Sequence, residues 1–98
     1  MSEKTYWIYI LQCSNQSYYT GYTDNLEKRF QDHLAGKGSK YTRSFKPLSI
    51  AQYWEIKGTK ADAMRIERYI KTLSKAQKEA LIQNPNSELI ISMRVAGD

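Results

Sequence analysis

The sequence predicts an α+β domain with a small sheet, in the order β-β-α-β-α-α. Three observations carry that prediction. The chain opens on an aromatic and β-branched run that is immediately followed by a second short one. Two later segments return apolar residues every three or four positions behind residues that favour helix starts. Finally, 98 residues suffice for one core and no second domain.

The elements follow in order. Residues 6–13, Tyr-Trp-Ile-Tyr-Ile-Leu-Gln-Cys, read as a strand buried on both faces. Ser14-Asn15-Gln16-Ser17 is a polar break, and 18–22, Tyr-Tyr-Thr-Gly-Tyr, reads as the returning strand of a hairpin. Strand alternation puts Trp7, Tyr9 and Leu11 on one face, and Tyr19 and Gly21 together on the partner. Asp24 and Glu27 fit a capping box. Leu26, Phe30 and Leu34 then form a helical stripe that predicts burial, and Gly36 is a helix stop. Residues 37–46 carry Lys37, Lys40, Arg43 and Lys46 with no acid and read as a basic loop ended by Pro47. Residues 49–57 alternate as a third strand. Thr59 caps a helix that turns Ala63, Ile66, Ile70 and Leu73 inward. Ser74 and Gln77 form another capping box, opening a helix to about Gln83 that Pro85-Asn86 breaks. Residues 88–93 are either a last strand or a packed tail. The expectation is one domain over 1–98, with its core at about 5–83 and a tail at 84–98.

Composition excludes several classes of function. Apolar residues are 41% and charged residues 26%, as in ordinary globular chains. No apolar run reaches the ~20 residues of a membrane-spanning helix. The start, Met1-Ser2-Glu3-Lys4-Thr5, has no signal-peptide character, which predicts a cytoplasmic protein and no membrane partner. One Cys, Cys13, and one His, His33, cannot build a structural zinc site or an internal disulfide. The net charge of +5 points to a polyanionic partner.

Four constellations could carry chemistry. Tyr9 and Tyr19 lie on adjacent strands, within cross-strand reach; from strand statistics alone, ordinary sheet packing is the favoured explanation. Arg29 and His33 are one helical turn apart at the edge of the Leu26-Phe30-Leu34 stripe, between core and solvent. Glu67 lies off the stripe of the later helix. It either pairs with Lys71 at i+4 on the surface, or it is a carboxylate able to hold Mg²⁺ with water completing the shell. Residues 57–78 hold seven cations against Asp62 and Glu67, with Tyr41, Tyr53, Trp54 and Tyr69 interleaved through the basic segments. Such a surface is either a solvated face over core aromatics, or a phosphate-binding and base-stacking one.

Taken jointly, these residues have a distinctive spacing. Trp7-Ile8-Tyr9 is followed after nine residues by Tyr19-Thr20-Gly21. Arg29 comes eight after that glycine, His33 four after the arginine, and Glu67 stands on a later helix. This resembles the GIY-YIG nuclease domain over roughly residues 5–83. Gly36-Lys37-Gly38-Ser39-Lys40-Tyr41-Thr42-Arg43 is similar to the basic loop of its small single-domain, UPF0213-type members. The resemblance implies a three-stranded antiparallel sheet flanked by helices, and a metal-dependent phosphodiesterase. It carries the motif tyrosines onto Tyr9 and Tyr19, the arginine onto Arg29, a frequent His or Tyr position onto His33, and the metal-binding glutamate onto Glu67. Trp7 and Thr20 depart from the motif letters without removing a reactive group. Tyr22 stands where the incision domain of bacterial excision repair has a lysine, so His33 or Lys40 would have to supply that help.

The resemblance thus implies a DNA endonuclease using one Mg²⁺ or Mn²⁺ on Glu67 as Lewis acid. Arg29 would fork onto phosphate oxygens. Tyr19 would be the base or water-positioning group, with His33 assisting, and Tyr9 would orient the attacking water. Lys37, Lys40, Tyr41, Arg43 and Lys71 are the expected nucleic-acid contacts. With no attached DNA-reading module, single-stranded or branched DNA fits better than a duplex sequence, and RNA stays open. A monomer or weak dimer is expected. The alternative is a nucleic-acid-binding module of the same fold without catalysis.

Overall fold

The computed structural model describes residues 4–85. Strand β1 (Lys4–Cys13) is the middle of a three-stranded antiparallel sheet, between β2 (Tyr18–Thr23) and β3 (Pro47–Gly58). Its central position explains its composition. Ile8, Tyr9, Ile10 and Leu11 are all buried, because both faces of the strand are covered. The hairpin turn is tight: Gln16 takes φ +68°, and its N–H donates to Cys13 O at 2.9 Å. The β1–β3 register slips between Ile10 and Leu11 and again between Gln12 and Cys13.

One face of the sheet packs on α3 (Lys60–Lys71) and α4 (Lys75–Gln83). Ile8, Ile10, Trp54 and Ile56 meet Ala63, Ile66, Ile70 and Leu81 there. Each fully buried aliphatic side chain contributes about 1.5–3 kcal/mol by leaving water. The caps hold as expected. Thr59 Oγ1 accepts from the Asp62 N–H at 3.2 Å while the Asp62 carboxylate accepts from the Thr59 N–H at 2.9 Å, and Ser74 and Gln77 repeat the arrangement. Leu73 is only partly buried. Gln52 and Trp54 tie the end of α4 to the sheet by donating to Ile82 O and Pro85 O.

The other face carries α1 (Leu26–Leu34) and the one-turn α2 (Lys40–Ser44). Three expectations change here. The N-cap of α1 is Asn25, whose side chain accepts from the Lys28 N–H at 3.2 Å, because Asp24 is drawn into an ion pair with Lys4 at 3.1 Å. The residue that α1 buries completely is His33, whereas Leu26, Phe30 and Leu34 are half-buried. The helix is thus rotated toward its polar edge, because His33 has hydrogen-bond partners inside. The basic loop contains a helix, α2, capped by Ser39 Oγ accepting from the Thr42 N–H at 3.1 Å. Gly36 is the helix stop expected, with φ +79°. Among the described residues no helix is long and apolar enough to cross a membrane. Residues 88–93 lie outside those described.

Candidate active site

The strand order leaves β2 as a free edge. A cleft of about 530 Å³ runs along that edge and takes residues from both faces of the sheet. Tyr9, Tyr19 and Arg29 come from the α1 side, while Tyr6, Tyr22 and Glu67 come from the α3 side.

Tyr9 reaches this edge from the central strand because its cross-strand partner is Gly21. A Cβ at Gly21 would collide with Tyr9 Oη and Cζ, so the missing side chain is the space the phenol ring crosses. The Tyr9 hydroxyl then meets His33 Nε2 at 2.8 Å. On the other side of the imidazole, Nδ1 lies 2.7 Å from Thr42 Oγ1, which in turn lies 3.0 Å from Ser39 Oγ. Burial, partly countered by Arg29, pushes the Tyr9 hydroxyl up to about 12. Burial, reinforced by the Arg29 charge, pulls the His33 imidazole down to about 4. Both groups are therefore neutral near pH 7, forming a pair that can pass a proton without starting from an ion.

Arg29 lines the cleft and donates from Nη2 to Gly38 O at 3.1 Å. Glu67 also lines it, its side chain 15% exposed, with Lys71 Nζ 3.2 Å from one carboxylate oxygen. The Lys71 pair expected at i+4 is thus formed by a carboxylate that also lines the cleft. Tyr19 makes no hydrogen bond to His33. Its ring sits edge-on to the imidazole at 5.2 Å between centroids, and stacks on Tyr41 at 6.0 Å with 22° between planes. Phe45 extends the series, 5.2 Å from Tyr41. Lys37, Lys40 and Arg43 are exposed and do not line the cleft wall.

The structure thus gathers Tyr9, Tyr19, Arg29 and Glu67 around one cleft, with His33 directly behind Tyr9. Sequence reasoning did not place Lys4, Tyr6, Tyr22, Thr23, Asp24 and Lys60 at the site; with Gly21 they complete the wall. For Tyr22, alternation along β2 was the available signal, since an edge strand offers both of its faces to a cleft at that edge; Lys4, Tyr6 and Lys60 come from other elements and had none. It also missed Thr42, which reads in sequence as one more polar loop residue.

The donor set for a cation can be tested on this geometry. Among the described residues no three His, Cys, Asp or Glu side chains cluster as a metal cage. Two carboxylates line this open, polar cleft, Glu67 and Asp24, each ion-paired to a lysine; so sparse an all-oxygen donor set suits a hard divalent ion that keeps most of its water, so the residues fit Mg²⁺ or Mn²⁺ and do not fit zinc.

Comparison with known proteins gives a consistent result. Residues 5–80 match the GIY-YIG catalytic domain. The chain is 42% identical over 83 residues to a UPF0213 protein of Bacillus cereus, covering 85% of each. It is 47% identical over 74 residues to a UPF0213 protein of Halobacterium salinarum, covering 76% of this chain and 95% of that one. Among solved structures it is similar to a UPF0213 protein of Bacillus halodurans determined by solution NMR. There the identity is 38% and the TM-score 0.53, with 87% of this chain and 89% of that chain covered.

Proposed function

This chain belongs to the GIY-YIG family, whose domain is of nuclease type, and on that premise we propose that it is a Mg²⁺- or Mn²⁺-dependent DNA endonuclease. The observation that carries the reading is the 2.8 Å hydrogen bond between Tyr9 Oη and His33 Nε2, set behind a cleft that Arg29 and Glu67 also line.

A scissile phosphodiester docks with its oxygens on Arg29, whose planar fork matches two of them. Glu67 would hold the divalent ion, which when bound supplies Lewis-acid stabilisation of phosphate and leaving-group charge. Water attacks phosphorus in line. Its proton goes to Tyr9 Oη as the Tyr9 proton passes to His33 Nε2, and the P–O ester bond breaks. The departing oxygen takes its proton from solvent. Tyr9 remains a neutral conduit throughout, in keeping with a hydroxyl pushed up to about 12. A phosphate on Arg29 offsets one of the two causes that depress His33, so substrate binding itself makes the imidazole a better acceptor. The proposed proton path runs through Tyr9, where the family resemblance implies Tyr19, because Tyr9 Oη is the hydroxyl within hydrogen-bond distance of His33 Nε2. Tyr19 instead helps line the water's side of the cleft and begins the aromatic series.

That series favours a single-stranded or branched substrate. Tyr19, Tyr41 and Phe45 stand in ring contact, and Tyr41 and Phe45 are exposed among Lys37, Lys40 and Arg43. Unpaired bases can stack on such rings while the cations take the phosphates. Lys71, paired with the cleft residue Glu67 at 3.2 Å, would exchange that carboxylate for phosphate.

The test is cleavage of labelled single-stranded, duplex and branched DNA with Mg²⁺ or Mn²⁺ and with EDTA, beside Glu67→Ala. Metal-dependent cutting of unpaired or branched DNA that Glu67→Ala abolishes is expected. Binding without cutting by the intact protein would overturn the enzyme reading in favour of a binding module. Faster cutting of duplex would overturn the substrate.

A further inference from the structure

The Gly38–Thr42 segment lies against His33 from the side opposite Tyr9. Thr42 is completely buried, and its Oγ1 is 2.7 Å from His33 Nδ1. A buried hydroxyl in that position does more than fill space. An imidazole that accepts from Tyr9 at Nε2 must carry its proton at Nδ1, and an Nδ1–H buried without a partner would be costly. Thr42 Oγ1 supplies the acceptor. Its own proton has two outlets, Ser39 Oγ at 3.0 Å and, at the limit of bonding, Ser39 O at 3.5 Å. Ser39 is held as the N-cap of α2, which keeps Thr42 on the inner side of that one-turn helix. The same segment fixes the ring's position: a Cβ at Gly38 would overlap His33 at Nδ1, Cε1 and Cγ, so the backbone of Gly38 lies directly on the imidazole. Gly38 O also receives Arg29 Nη2.

From these contacts we infer that Thr42 is a positioning residue, holding His33 as the Nδ1–H tautomer so that the Nε2 lone pair faces Tyr9 Oη. The inference rests on the proposed proton path for its catalytic meaning. It stands on the hydrogen-bond geometry for its structural content. The short helix that looks from the sequence like a basic DNA-binding loop is therefore also the buttress of the proton acceptor. Its inner residue sets which nitrogen is basic, while its outer residues Lys40, Tyr41 and Arg43 face solvent.

His33 is the sole histidine of the chain, so its imidazole nitrogens can be read without ambiguity by ¹⁵N NMR at neutral pH. The wild-type protein is expected to show a protonated Nδ1 and a bare Nε2. Thr42→Val keeps the shape and the backbone cap, and should move the ring toward the Nε2–H form. Its cleavage rate should fall roughly 10- to 100-fold, a fraction of what a general base contributes. Thr42→Ser should restore both the tautomer and the rate. A wild-type ring protonated at Nε2 overturns the inference by itself, even if Thr42→Val does not fold. So does a Thr42→Val protein whose tautomer is unchanged, or one whose tautomer changes with no loss of rate. An Nδ1–H ring that Thr42→Val disturbs, in a wild-type protein that cuts no DNA, keeps the positioning role and overturns only the nuclease reading.

Discussion

The ring of Tyr9 occupies the space that a side chain on Gly21 would need. The two are direct cross-strand partners, and the small residue lets the large one lie across β2 to the cleft. Gly21→Ala should therefore damage both stability and chemistry. The collision is with a stiff, buried ring, and overpacking of this kind costs about 1–3 kcal/mol. Urea unfolding should show that loss, and cleavage should fall further than stability, because the displaced hydroxyl leaves His33. An alanine variant with wild-type melting and rate would mean that the ring has other room.

Thr20 offers a gain instead. It is buried, and its hydroxyl has no hydrogen-bond partner. Thr20→Val removes the unsatisfied group at nearly constant shape and keeps β-branching in the strand. A stabilisation of about 1 kcal/mol is expected, with the cleavage rate unchanged. A lower unfolding midpoint would show that the hydroxyl is satisfied in solution.

The depressed His33 value makes stability depend on acidity in a definite direction. The folded imidazole sits at about 4, below its ordinary value of 6.5. Between those values the unfolded chain binds a proton that the folded chain refuses. The contribution of the neutral ring is thus complete above pH 6.5 and is lost as pH falls toward 4, by about 2–3 kcal/mol. His33→Leu lacks this component. The stability advantage of wild type over that variant should shrink steadily from pH 7 to 4.5. A constant advantage would place the imidazole in water.

Aromatic and cationic contributions to substrate binding should separate by salt. Phe45→Ala and Tyr41→Ala should each weaken binding of single-stranded DNA by about 1–3 kcal/mol at every ionic strength, the scale of one stacked base. Lys40→Ala and Arg43→Ala should instead each reduce the slope of log affinity against log salt by about one phosphate's worth. Equal effects of both pairs on the slope would remove the stacking surface.

Much of this architecture is written in local pattern. The doubly buried run from Ile8 to Leu11, the caps Thr59 and Ser74, and the Ala63-Ile66-Ile70 stripe are all decided by neighbours a few residues away, so they read correctly. What escaped depends on distant partners. Lys4 takes Asp24 from its capping role across twenty residues of chain. His33 displaces its apolar neighbours from the interior only because Tyr9 and Thr42 satisfy both ring nitrogens. The helix Lys40–Ser44 has no apolar repeat to announce it. The motif spacing pointed to Tyr9, Tyr19, Arg29, His33 and Glu67 together; the fold lines one cleft with four of them and sets His33 behind Tyr9. It could not tell which tyrosine bonds the imidazole, since that turns on where Gly21 leaves room.

Helix α2 faces two ways within five residues, with Thr42 inward on His33 and Lys40, Tyr41 and Arg43 outward. On the proposed proton path, affinity and turnover share a lever. Redesigning the outer residues then also perturbs the scaffold of His33, so grafted versions of this segment should change kcat along with KM. Engineering for new targets is better directed at Phe45, which follows the helix and has no bond to the imidazole.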